Sequence, residues 1–303
     1  MKKKLMKMLD VFVIFAFSIY VLLDTFVIPR SYATVAEETT AETETSLPSE
    51  TLTTLESTDA VVTDTSYSDE NMTITIQTYR YNDTTVYVAD VQLSSLDALK
   101  TAFANSTYGK NVTAKTSVTA EAVNAILAIN GDYYGARNSG YVIRNGVLYR
   151  DTAASDDQED LVIYEDGSFA VVTEGSVTAE ELLNNGALQV FSFGPGLIID
   201  GKIAVTEDEE VGQAMASNPR TAIAEIEPLH YLFVVADGRT DESEGLSLYE
   251  LAEFLETLGV ETAYNLDGGG SSTMVFNGTV INNPTTTGSI SERKVSDIVY
   301  IAG

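Results

Sequence analysis

The sequence predicts an α+β (mixed α/β) fold, a single mixed-sheet domain over residues 71–303 with helices packed on it. Three observations predict this. Short β-rich runs bounded by Gly, Asn or Asp fill most of the region. Two capping-box patterns, Thr178-x-x-Glu181 and Ser247-x-x-Glu250, mark helix starts. The longest helical stretch feeds a strand that ends in a glycine loop, an order suited to a sheet covered by helices. The chain has 303 residues and is 44% hydrophobic, which allows one sizeable core.

The elements follow in order. Met72–Asp90 alternates apolar and polar residues, and Asn82-Asp83 reads as its hairpin turn. Thr119–Leu127 reads as a helix running into a short strand that ends at Asn130. Strands are expected over Gly140–Arg150, Asp160–Thr173, Leu188–Phe193 and Gly196–Val205. Arg220–Glu227 and His230–Asp237 form a strand pair with Pro228 in the turn. In Ser247–Leu258, Leu248, Leu251, Ala252, Leu255 and Leu258 share one helical face, and Gly259 stops the helix. Val260–Leu266 is the strand before the glycines.

Charge divides the chain into three. The whole carries −28. Residues 1–30 hold five basic and two acidic groups, residues 31–70 hold ten acidic groups and no basic one, and the rest carries −21. Four lysines precede an apolar run that reaches from Val11 to Ile28 across Asp24-Thr25. Its 18 residues approach the length of a spanning helix. The lysines predict a cytoplasmic N-terminus, with the C-terminal domain outside the cytoplasm. The alternative is a secreted chain cleaved after Ser31-Tyr32-Ala33. The Thr-rich acidic stretch 31–70 reads as a disordered linker, with roughly 35 Å of reach as a flexible coil.

The acidic surface excludes nucleic acid as a partner. The chain has no Cys and one His, so thiolate chemistry is absent and His230 alone would have to serve a triad or a His metal site. No compact metal loop is present, and no cofactor is implied, although Asp132, Asp237 and Asp267 are possible hard oxygen ligands.

The candidate chemistry lies in four clusters. In Asn265-Leu266-Asp267-Gly268-Gly269-Gly270-Ser271-Ser272, the glycines could form an anion-binding nest with serine hydroxyls as extra donors. Asn265 and Asp267 are two apart and share a side of an extended chain. Asn130-Gly131-Asp132 repeats that spacing. Arg220 follows Asn218-Pro219 at a strand mouth, and Arg239 follows Asp237-Gly238 at another. Arg is the preferred bidentate partner of phosphate, so these clusters point to a phosphorylated or sugar-like ligand.

The same residues resemble a known family. NGDYY (130–134), FGPGLIIDGK (193–202), NPRTAI (218–223), DGR (237–239), YNLDGGGSSTM (264–274) and ERKVSDIVYI (292–301) match, in order and spacing, the phosphodiester glycosidase family, whose bacterial members include exopolysaccharide-related proteins. The resemblance implies a hydrolase that cleaves a sugar-1-phosphodiester at the glycosidic C1–O bond. It implies catalytic roles for Asp132, Asp237, Asp267 and Arg220. Substrate-binding roles fall to Asn130, Arg239, Asn265, Gly268, Gly269, Gly270, Ser271 and Ser272, with Arg293 and Asp297 behind them. The alternative is a non-catalytic module that holds a phosphoglycan during envelope-polymer assembly.

Overall fold

The computed structural model describes residues 12–21, 23, 27–32, 60–208 and 217–303. Strands dominate. A nine-stranded sheet forms the centre, and two five-stranded sheets flank the core. Every pairing among the described strands is antiparallel. Neighbouring strands are joined by hairpins or by long excursions, and the helices are short additions at Thr116–Ala122, Ala179–Asn184 and Leu248–Glu256.

The central sheet is buried on both faces, and its sequence shows how. Along His230–Ala236, the residues Tyr231, Phe233 and Val235 join one apolar cluster, while Leu232, Val234 and Ala236 join another. Thr84–Leu93 repeats the split, with Ala89 and Val91 on one side and Val86 and Val88 on the other. Successive side chains of a strand point to opposite faces, so an unbroken apolar run needs a layer on each. One layer is the helix Leu248–Glu256. Its Leu248, Leu251, Ala252 and Leu255 are fully buried, and Phe254 packs 5.4 Å from the rings of Tyr79 and Tyr81. The flanking sheets supply the other layer.

Local sequence accounts for the boundaries. Both capping boxes form, with Thr178 and Ser247 accepting from the amides of Glu181 and Glu250. Asn82 and Asp83 take positive φ (43° and 52°), the geometry of a two-residue hairpin turn. The helix expected at 119–127 lies earlier, over Thr116–Ala122, because Asn124 turns into the left-handed region before the strand Ala125–Asn130. The runs at 140–150, 160–173 and 196–205 each fold back as a hairpin rather than a single strand.

The sheet also reaches further back than the sequence implied. Val61–Val62 and Ser66–Ser68 pair onto the edge strand Met72–Tyr81, inside the stretch read as linker. The remainder of that stretch, 33–59, lies outside the described residues. Residues 12–21 are helical and exposed. Among the described residues no helix is long and apolar enough to cross a membrane, and 1–11, 22 and 24–26 of the proposed anchor lie outside them.

A short segment beyond the apolar run docks on the domain. Arg30–Ser31 pairs antiparallel with Gly109–Lys110, and the Tyr32 amide donates to the Tyr108 carbonyl at 3.0 Å. Asn111 Nδ2 donates to the Ile28 carbonyl at 3.2 Å. Gly109 is required here, since a Cβ on it would lie 1.8 Å from the Arg30 carbonyl oxygen.

Candidate active site

Register brings the distant motifs together. Arg220 pairs with Ala236, which sets Asn218-Pro219 beside Asp237-Gly238-Arg239. Ala222 pairs with Asn265, which sets Asp267 beside the start of the same strand. Asn130 pairs with Ile298, which sets Gly131-Asp132 beside Asp297. The motifs are therefore strand ends at one edge of the core.

Two cavities meet there. One, of about 170 Å³, is lined by Arg220, Arg239, Arg293, Asn218, Asn265 and Asp267, with Phe193 and the Gly268-Gly269 backbone. The other, of about 210 Å³, is lined by Asp132, Tyr133, Asn111, Thr113, Ser296 and Lys294, again with Asp267 and Arg293. Asp267 and Arg293 belong to both.

Asp267 is the most heavily held carboxylate at the junction. Ser271 Oγ donates to its Oδ2 at 2.5 Å. Arg293 Nη2 lies 2.9 Å from Oδ2 and 3.1 Å from Oδ1. Burial pushes the Asp267 carboxyl above its ordinary value, while Arg293 and Ser271 pull it back. Arg293 also donates through Nε to Ser271 Oγ at 2.8 Å and through Nη2 to the Gly268 carbonyl at 3.0 Å. Sequence reading set Arg293 behind the site, whereas it lies at the centre. Its distance along the chain hid it.

The arginine cavity suits an anion. Arg239 holds Asn218 Oδ1 through Nε and Nη2, at 3.1 and 2.7 Å, from a left-handed backbone position (φ 62°). Arg220 is buried, and its Nε donates to the Leu246 carbonyl at 2.8 Å. Asn265 Nδ2 donates to the Gly194 carbonyl at 2.7 Å, and its Oδ1 is buried with no partner among the described residues. A buried acceptor without a partner is costly unless a ligand or water donates to it.

The glycine loop packs closely, and part of its backbone is already engaged. The Gly269 amide donates to the Pro219 carbonyl at 2.8 Å, and the amides of Ser271 and Ser272 donate back to Gly268 and Gly269. The three glycines allow close approach instead. An added Cβ would lie 2.9 Å from the Pro219 carbonyl oxygen at Gly268, 2.9 Å from Arg239 Nη2 at Gly269 and 2.6 Å from Thr286 Oγ1 at Gly270. Ser272 is fully buried, and its Oγ has no partner among the described residues.

Three other expected residues have structural surroundings. Asn130 is fully buried: its Nδ2 donates to the Asp267 carbonyl at 2.6 Å and its Oδ1 accepts from Thr221 Oγ1 and the Thr273 amide. It staples two strand ends and lines neither cavity. Asp237 also lines neither. Its Oδ1 accepts from Asn282 Nδ2 and the Asn283 amide at 3.0 and 2.9 Å, fixing that loop. Asp132 borders the second cavity, yet its oxygens accept from the amides of Tyr134 and Ser192, both at 3.0 Å. It also ion-pairs with Arg144 at 3.0 Å.

Arg144 has no counterpart in the sequence reading. It is fully buried, lies 2.9 Å from Asp297 Oδ2, and its charge holds Asp132 and Asp297 together beneath the site. Gly131 lets this triad pack, since a Cβ there would lie 2.3 Å from Asp297 Oδ1. His230, expected to be structural, pairs with Asp90 at 3.0 Å on a strand of the central sheet. Among the described residues no three His, Asp or Glu side chains gather as a metal-ligand set.

An antiparallel sheet core thus brings three arginines to one cavity around a buried carboxylate, an arrangement whose charge suits an anion. Comparison with known proteins narrows this. The phosphodiester glycosidase family model matches residues 123–302, and the chain belongs to that family. Human N-acetylglucosamine-1-phosphodiester alpha-N-acetylglucosaminidase is 33% identical over 183 residues, which is 55% of this chain and 35% of that protein. The SPbeta prophage-derived protein YomE of Bacillus subtilis (strain 168) is 32% identical over 165 residues, 52% of this chain and 25% of that protein. The chain thus spans about a third or less of the curated relatives it matches. In fold it is similar to the catalytic domain of zebrafish N-acetylglucosamine-1-phosphodiester alpha-N-acetylglucosaminidase (TM-score 0.61, 21% identity, covering 77% of this chain and 83% of that one). A hypothetical protein from Synechocystis shares the fold at TM-score 0.56 and 16% identity, covering 77% and 62% of the two chains.

Proposed function

We propose that the chain is a hydrolase that cleaves a sugar-1-phosphodiester at the C1–O bond, releasing a free sugar and a phosphomonoester. The observation that carries this is the meeting of Arg220, Arg239 and Arg293 with Asp267 at one cavity. A phosphate leaving group needs anion stabilisation more than it needs a proton. Guanidiniums placed where that charge develops supply it. The bond's electron pair stays on the phosphate oxygen. Water bonds to C1 and gives up a proton, which the Asp267 carboxylate is placed to accept. Family membership and the human relative support the same reaction class.

The four N-terminal lysines and the apolar stretch 11–28 support a membrane anchor with the domain outside the cytoplasm, where an envelope glycan or a teichoic- or exopolysaccharide-type polymer is the substrate within reach. The test is to incubate the full-length chain with cell-envelope extract, with and without chelator, and assay released reducing sugar. Release that disappears in Asp267→Asn supports hydrolysis. Saturable binding of the extract without release identifies the chain as a phosphoglycan-holding module instead.

A further inference from the structure

The two cavities differ in chemistry, and Asp267 and Arg293 form the divide between them. One side carries three guanidiniums. The other carries one carboxylate and one ammonium of its own, Asp132 and Lys294, the uncharged polar groups Asn111, Thr113 and Ser296, and one exposed aromatic ring, Tyr133, at 47% exposure. Sugar rings offer hydroxyls for such groups and an apolar face for an aromatic one. Neither cavity alone reaches the ~300 Å³ of an ordinary small-molecule pocket, and only joined do they do so.

The backbone that carries Tyr133 is pinned on its C-terminal side. The next residue, Tyr134, is buried, stacks on Tyr108 at 5.3 Å, and donates its amide to Asp132 Oδ1. Arg150 Nη1 donates to the Tyr134 and Arg137 carbonyls, both at 3.0 Å, which closes the loop behind it. Gly135 allows Ser296 to approach and floor the cavity, since a Cβ there would lie 2.1 Å from Ser296 Oγ.

We infer that the Tyr133 cavity takes the sugar ring on the C1 side of the scissile bond, and that the arginine cavity takes the phosphate. Tyr133 is then a specificity-determining residue, and the bond to be broken crosses the Asp267–Arg293 divide. This assignment rests on the sugar-phosphodiester reading of the site, and binding tests it independently of turnover. The probes are inorganic phosphate and, separately, a panel of glucose, galactose, mannose, N-acetylglucosamine and N-acetylgalactosamine, titrated into the full-length chain in detergent micelles. Tyr133→Ala should weaken the best sugar about tenfold, the size of a lost aromatic contact, and leave phosphate unchanged. Arg239→Ala should weaken phosphate and leave the sugar unchanged. Tyr133→Phe should keep sugar binding, which separates a lost platform from a disturbed loop. The assignment is overturned by the opposite pattern, by equal loss of both ligands in either variant, or by a wild-type chain that binds none of the sugars. A chain that shows the expected split but cleaves no phosphodiester rejects the hydrolysis and keeps the subsites. A chain that cleaves with Tyr133→Ala unaffected on every sugar rejects the subsites and keeps the hydrolysis.

Discussion

Arg293 grips Asp267 through one nitrogen, Nη2, which reaches both carboxylate oxygens at 2.9 and 3.1 Å. Burial alone would drive the Asp267 proton on, and the guanidinium opposes it. Removing Arg293 leaves only the Ser271 hydrogen bond to oppose burial, so the Asp267 carboxyl rises further. In Arg293→Gln the acid limb of kcat/KM against pH should therefore move to higher pH, because the ionised form is the active one. An unmoved limb, measured on a sugar-1-phosphodiester, would remove Asp267 from the base role.

Asp267→Asn keeps the size and most hydrogen bonds of the side chain. Turnover should fall by at least about a hundredfold, the scale of a lost general base. The circular dichroism spectrum and the unfolding midpoint should stay close to wild type. Asp237→Asn should act on stability instead, because Asp237 ties down Asn282 and Asn283 and lines neither cavity.

Arg144→Met leaves Asp132 and Asp297 buried and unpaired. Breaking such a buried ionic cluster costs roughly 3–5 kcal/mol. Denaturant unfolding should show that loss. A midpoint equal to wild type would show that Arg144 is dispensable to the fold.

Acid should stabilise this domain. Burial pushes Asp297 up to about 7 against the pull of Arg144, and burial with the nearby Glu174 charge pushes Asp160 up to about 9. Both folded values lie above the unfolded value of ~4. The folded state therefore holds these protons more tightly. The stability they add is complete below pH ~4 and is lost as pH rises through the folded values. The thermal midpoint should fall between pH 5 and 9, and Asp160→Asn, a neutral isostere, should flatten the upper part of that slope. An equal slope in the variant would exclude Asp160 as its source.

Two glycines separate packing from backbone freedom. Gly278 (φ 74°) has open space at its Cβ position, so Gly278→Ala should cost only about 1 kcal/mol of conformational strain. Gly269 (φ 62°) would place a Cβ 2.9 Å from Arg239 Nη2, so Gly269→Ala should also displace the guanidinium and weaken phosphate binding. Phosphate titration of both variants makes the comparison.

Much of this was legible in the sequence where the cause is local. Capping boxes, the Asn82-Asp83 turn and the apolar stripe of Leu248–Glu256 all follow from short-range patterns. The errors share one origin, which is register. Arg144 sits beside an Asn-Gly turn where nothing local singles it out, yet the pairing of Ile143 with Val190 draws it under the site. Asp237 ends a buried strand as Asp267 does, but the 282–283 loop claims it. The three glycines suggested an anion nest, and only the neighbouring Pro219 carbonyl shows that the Gly269 amide is already taken.

The docked Arg30–Ser31 strand changes what the acidic stretch can do. The chain leaves the domain surface at Tyr32 and rejoins its sheet at Val61, so residues 33–59 bridge two points on one body. In the proposed anchored form they would not set the height of the domain above the bilayer. With the proposed anchor ending at Ile28, only about 7 Å of extended chain separates lipid from the docked strand. In that proposed form the domain would sit against the membrane, held there by its own docked strand.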